Sequence, residues 1–232
     1  MAREFDRNMF VMLLAIMIGA IIITYFAADL IGSGKIQDLT SQYEGEISSV
    51  KSESENFTSS FIKSTVILDQ AREDRAFGNY HFDLGLIWYQ SALAERNITY
   101  FKLYKARGID NCTNAMPNYN YSHLNFEESK EYFNQTIAFA SNNYLEVLNL
   151  YVRLTESGAK LTTLRYDASR YLLYLIENLT FDPINNNVTF LENVTELMVL
   201  FAGIMAAYQA EVENYEEIQD EIDEYEFFEE IR

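Results

Sequence analysis

Asparagine supplies the most frequent chemical signal in the sequence. Asn-x-Ser/Thr triplets begin at Asn56, Asn97, Asn111, Asn120, Asn134, Asn178, Asn187 and Asn193. None has proline at its centre, and seven of the eight end in threonine. This composition would supply roughly two by chance. The triplet is the acceptor for N-linked glycan, a modification made on the outer face of a membrane. These residues therefore predict an extracytoplasmic, glycan-bearing domain on a eukaryotic or archaeal surface.

Other chemistry is sparse. The two histidines, His81 and His123, fall on different segments, and Cys112 is the single cysteine. A structural zinc site needs four ligands of these kinds, and an intrachain disulfide needs two cysteines, so neither is expected. A Cys112–His123 nucleophile pair is disfavoured because a glycan on Asn111 would crowd the thiol. No Gly-rich phosphate loop, G-x-S-x-G, H-E-x-x-H or calcium loop occurs. The reading is of a protein that is not an enzyme and carries no cofactor or metal. Tyr119 and Tyr121, in "PNYNYSH", are weaker candidates for a sugar or protein contact.

Carboxylates are abundant. Glu211 to Arg232 holds eleven Asp or Glu and one Arg, a large part of the formal net charge of -18. Such a chain repels phosphate, which argues against a nucleic-acid partner. The acid run reads first as the solvated side of an amphipathic helix, second as a docking strip for a basic partner, and third as a cation-attracting surface.

The elements that position these groups begin with an anchor. No charge occurs from Asn8 to Ala28. A helix of about 20 apolar residues spans the hydrocarbon of a bilayer, whereas a cleavable signal has a shorter apolar region. Residues 9–31 are thus expected to form a transmembrane helix, with residues 1–8 as a short cytoplasmic tail and 32–232 outside. Ala15, Gly19 and Ala20 give this helix a small-residue face for packing.

Residues 32–232 read as all-α: an elongated up-and-down bundle continuing from the anchor. A stalk helix is expected over about 35–75, with Ile36, Tyr43, Val50 and Phe57 repeating every seven residues. A second, over about 80–106, is expected to bury Leu84, Ile87, Ser91, Ala94, Ile98 and Phe101. The Asn-rich stretch from Arg107 to Asn125, with Gly108 and Pro117, reads as a loop. Asn125 would cap a third helix carrying Phe126, Phe133, Ala140, Val147 and Leu154, and Gly158 would turn the chain. A fourth helix carries Leu161, Leu164, Ala168, Tyr171 and Leu175. The last, about 190–232, shows Leu191, Val194, Met198, Phe201, Met205, Tyr208, Val212 and Tyr215 at alternating spacings of three and four. Its segment "LMVLFAGIMAAY" is expected to be the central helix of the core, and no strand is expected.

Two functions follow from this layout. The first is a single-pass, N-glycosylated structural or accessory protein, held in membrane lipid and assembling with itself or with a larger surface complex. The short cytoplasmic tail, the lack of disulfides and the acidity lean toward an archaeal membrane. The second is an extracytoplasmic ligand-binding or sensory module acting through a membrane-spanning partner.

Overall fold

The computed structural model describes residues 36–225. The proposed anchor at 9–31, with Ala15, Gly19 and Ala20, lies outside the described residues. No helix among the described residues is long and apolar enough to cross a membrane. The chain divides into two units, one ending at Glu53 and the other beginning at Ser54.

Four helices and one hairpin are described: α1 (Ile36–Ala94), α2 (Ile98–Ile137), α3 (Asn142–Glu177), β1 (Leu179–Asp182), β2 (Asn187–Phe190) and α4 (Thr195–Asp223). In the first unit, every residue of α1 from Gly45 to Glu53 is exposed, so Ile47 and Val50 do not form the packed stripe that their spacing predicts.

The second unit is an up-down-up-down bundle, and its seam between α1 and α2 explains most departures from the expected layout. Small residues recur every seven positions on both helices: Ser64, Ala71, Gly78, Gly85 and Ala92 on α1, and Gly108, Ala115, Ser122, Ser129 and Thr136 on α2, all buried. Heptad spacing keeps one face toward the partner, and small side chains let the backbones approach closely. The contact is close enough for side chains to reach backbone. Ser129 Oγ donates to Ser64 O at 2.8 Å and Ser122 Oγ to Ala71 O at 2.7 Å. A Cβ added to Gly85 would lie 2.7 Å from Cys112 Sγ.

This seam decides which face of α1 is buried. On α1, Phe82, Tyr89 and Ala92 are inside and Ile87 is 52 % exposed, while on α2 Ile98 is 44 % exposed and Phe101 is buried. The expected stripe through Leu84 and Ile87 is therefore on the wrong face. The expected break near residue 75 is absent. The chain instead turns at 95–97, where Glu95 Oε1 accepts from the amides of Arg96 and Asn97. Asn97 then caps α2, accepting from the amide of Thr99 at 2.9 Å.

The stretch from Arg107 to Asn125 is helix, not loop. Buried Gly108, Cys112, Ala115, Tyr119 and Ser122 hold it against α1. Asn111 and Asn118 turn their amides onto the helix's own carbonyls, Arg107 O at 2.9 Å and Asn114 O at 2.8 Å. Pro117 sits on the exposed side, where water can satisfy the carbonyl its missing N–H leaves free. Asn125 caps nothing and instead donates to Asp74 Oδ2 at 2.8 Å. The turn between α2 and α3 falls at 138–141, and Gly158 lies inside α3. Its glycine has a packing reason, because a Cβ there would lie 2.3 Å from the Phe126 ring.

A two-stranded antiparallel hairpin follows α3, pairing Leu179 with Phe190 and Asp182 with Asn187. Asp182 shapes its loop by accepting from the amides of Ile184 and Asn185, and Asn186 takes a positive φ of 48°. Lys105 Nζ donates to the carbonyls of Glu177 and Leu179, both at 2.7 Å, closing the C-terminal end of α3. Phe181 tilts against Phe101 at 5.7 Å, so the hairpin covers that end of the core.

Candidate interaction surface

Helix α4 completes the bundle by packing on α1 and α3. Its buried residues are Tyr208, Glu211, Tyr215, Ile218 and Ile222. Phe201 stacks with Phe82 at 6.5 Å. Two tyrosines two turns apart each take a guanidinium on the ring face: Arg165 lies 4.0 Å from the centroid of Tyr208, and Arg75 lies 4.4 Å from that of Tyr215. Arg165 also stacks on Phe82, and Arg75 on Phe126. The Arg165 side chain is only 12 % exposed, and its nearest anion is Asp83 at 3.9 Å. Among the described residues, Arg165 Nε and Nη1 and Arg75 Nη1 are buried without a hydrogen-bond partner. Ring faces therefore supply much of what holds these two cations, and a cation–π contact gains strength when desolvated.

One turn away, Glu211 is buried at 6 % exposure. Its carboxylate accepts from Ser157 Oγ at 2.6 Å and from Asn214 Nδ2 at 2.8 Å, and pairs with Lys160 Nζ. Burial pushes the carboxyl pKa up, but the bonds from Lys160, Ser157 and Asn214 together outweigh it and leave the pKa below the usual value. Glu211 thus departs from the acid run, whose composition predicts a solvated face. A signal was available, because Glu211 falls at the expected spacing between Tyr208 and Tyr215 on the inner face.

The outer face of α4 is exposed and apolar over its first half. Fourteen residues, Leu197 to Ala210, carry no charge. The expectation of a central core helix is corrected here: only one side of this segment is covered. Val199 is 66 % and Leu200 51 % exposed, and Ala202, Ala206 and Ala210 are exposed beside them. Gly203 faces open space, with nothing within 4 Å of an added Cβ. The helix is apolar nearly all round because it shows one apolar face to the bundle and another outward. The same face then changes character, since exposed Glu213 and Glu217 continue its three-and-four spacing. Contiguous exposed apolar surface of this kind marks interaction sites.

The acceptor asparagines divide by accessibility. Asn56, Asn97, Asn120, Asn134 and Asn193 are exposed. Asn111 is half-buried, its side-chain oxygen 3.2 Å from His81 Nδ1. Asn187 is half-buried as well. Asn178 is buried at 9 % exposure and spends its amide on Tyr174 O at 3.1 Å, which leaves no space for a sugar in the folded chain. None of the eight lies on α4. Asn120 and Asn134 lie on α2, and α2 and α4 occupy opposite corners of the bundle, each packing on α1 and α3.

The remaining candidates are structural. Cys112 is buried in the α1–α2 seam, and burial pushes its thiol up to about 12. His123 faces Ala159 O and Thr163 Oγ1, both at 3.3 Å, so the structure does not bring it to Cys112. Tyr119 is buried and donates to Asn79 Oδ1 at 2.9 Å, whereas Tyr121 is 59 % exposed. Among the described residues no group of three His, Cys, Asp or Glu side chains could hold a metal ion. An open groove of about 390 Å³ between α3 and α4 is lined by Glu146, Arg153, Glu221 and Tyr225 among others. No protein-family model, curated protein or solved structure matches the chain.

Proposed function

We propose that this protein is a single-pass, membrane-anchored and N-glycosylated accessory protein. Its helical bundle stands on the extracytoplasmic side and assembles with another protein of the cell surface. The observation that carries this reading is the outer face of α4, charge-free over Leu197–Ala210 in a chain of net charge -18 and exposed in the bundle. An exposed apolar strip of this kind suits a subunit of an assembly. The apolar segment at 9–31 supplies the anchor, and the acceptor asparagines supply the orientation. The acidity and the absence of disulfides suit an archaeal surface.

Extraction of native membranes in mild detergent, followed by native mass spectrometry, tests the reading. The expected result is a glycan-bearing chain in stoichiometric complex with a partner or with itself. Elution as a lone monomer would overturn the accessory role. Protection of the bundle from protease in sealed right-side-out cells would overturn the orientation.

A further inference from the structure

We propose that the outer face of α4 docks a helix of a different protein, apolar over about three turns and rich in Lys or Arg over the turns that follow. This rests on the accessory role above and names the chemistry of the partner. The face has two parts in line, with a single exposed carboxylate, Glu196, ahead of them. Val199, Gly203, Ala206 and Ala210 form an uncharged strip of small and medium side chains, all exposed. Glu213 and Glu217 extend that strip, also exposed.

Small side chains set the first requirement. A facing helix can approach until the axes are about 8 Å apart, and it must bring its own apolar side chains to fill the space over Gly203. The two glutamates set the second. A partner with Lys or Arg at the matching turns gains from them, and a neutral or acidic one does not.

Charge also selects between occupants. A second copy aligned in parallel would place Glu213 and Glu217 against their own equivalents. An antiparallel copy centred on Gly203 would leave both acid strips unpaired. An anionic lipid surface would be repelled by the same glutamates.

The test is photo-crosslinking of the full-length chain in its native membranes, with benzoylphenylalanine at position 206. The same residue at position 131, on the exposed side of α2, is the control. The expected result is an adduct from position 206 with one other protein and none from position 131. The captured peptide should hold an apolar helical run followed by Lys or Arg. The E213K/E217K pair should lower the yield about five-fold, and E213Q/E217Q by less. Both pairs change only exposed side chains, so far-UV circular dichroism should show an unaltered fold. An adduct with a second copy or with lipid, a yield indifferent to charge reversal, or no adduct would each overturn the inference. If a stoichiometric partner co-purifies while position 206 stays silent, the docking surface is wrong and the accessory role stands. If the chain elutes alone, the accessory role itself fails.

Discussion

Gly158→Ala tests whether ring-to-backbone contact sets the spacing of α2 and α3. An alanine Cβ would lie 2.3, 2.5 and 2.7 Å from Cε1, Cζ and Cδ1 of Phe126. Carbon atoms in good contact sit about 3.5–4.0 Å apart. The ring must therefore retreat by more than about 1 Å. It has no free direction, being fully buried in the cluster that holds Phe133, Leu148 and Leu154, with Arg75 over its face. Overpacking of this kind costs about 1–3 kcal/mol. Alanine returns about 1 kcal/mol of helix propensity in a helix interior. The net expectation is a loss of about 1 kcal/mol. Gly203→Ala is the matched control: it is also inside a helix, but with open space around it, so only the propensity gain of about 1 kcal/mol applies. A Phe126→Leu background separates the two effects. There Gly158→Ala should become neutral or stabilising, giving a coupling of about 1–3 kcal/mol in the double-mutant cycle. Denaturant unfolding of the full chain in mild detergent, followed by circular dichroism at 222 nm, gives all five midpoints. If Gly158→Ala stabilises as much as Gly203→Ala, glycine is not there to admit the Phe126 ring, and the reading of the buried glycines as packing residues falls.

Glu211 has a lowered pKa in the fold, so its contribution is complete above the ordinary carboxylate value near 4.3 and is lost as pH falls through the folded value. Glu211→Gln should flatten that part of the pH–stability curve and cost about 1–2 kcal/mol at pH 7, with the Lys160 share discounted because that side chain is 65 % exposed; an unchanged acid limb in pH-dependent denaturation would contradict this. Arg165→Lys keeps a charge but loses the flat stack between Phe82 and Tyr208, and should cost more than Arg165→Met, which removes the unpartnered N–H groups along with the charge. Thermal midpoints in the reverse order would refute the stacking account. Cys112 should resist maleimide at pH 8 in the folded chain and react fully in denaturant, read as a mass shift. Glycopeptide mapping should find sugar on Asn120 and Asn134 and none on Asn178.

The sequence by itself determined the helical class, because large apolar residues at three-and-four spacing describe a helix whatever it packs against. It also placed several buried stripes correctly. Leu161, Ala168 and Leu175 on α3, and Tyr208 and Tyr215 on α4, are inside as their spacing predicts, whereas Leu191 and Met198 of the last stripe are exposed. The uncharged character of Leu197–Ala210 was equally plain, though not which side of it would be covered. The hairpin was missed because each strand is only four residues long, too short for alternation to show.

Tertiary structure alone decided where the chain turns and which face of α1 is inside. The residues that settle both are small: Gly78, Gly85, Gly108, Ala115 and Gly158. Read along the chain, glycine next to asparagine or proline means a turn, since no contact is visible to set against its backbone freedom. In the bundle the same glycine is the place where a second helix comes close. That contact exists only when both helices are present, and Gly85 and Cys112 are too far apart in sequence for any local pattern to register the match. The outer face of α4 is the converse case, an apolar strip whose matching surface is not within the described residues. A sequence records that such a strip is apolar, but only the packing of α1 and α3 shows which side remains to be filled.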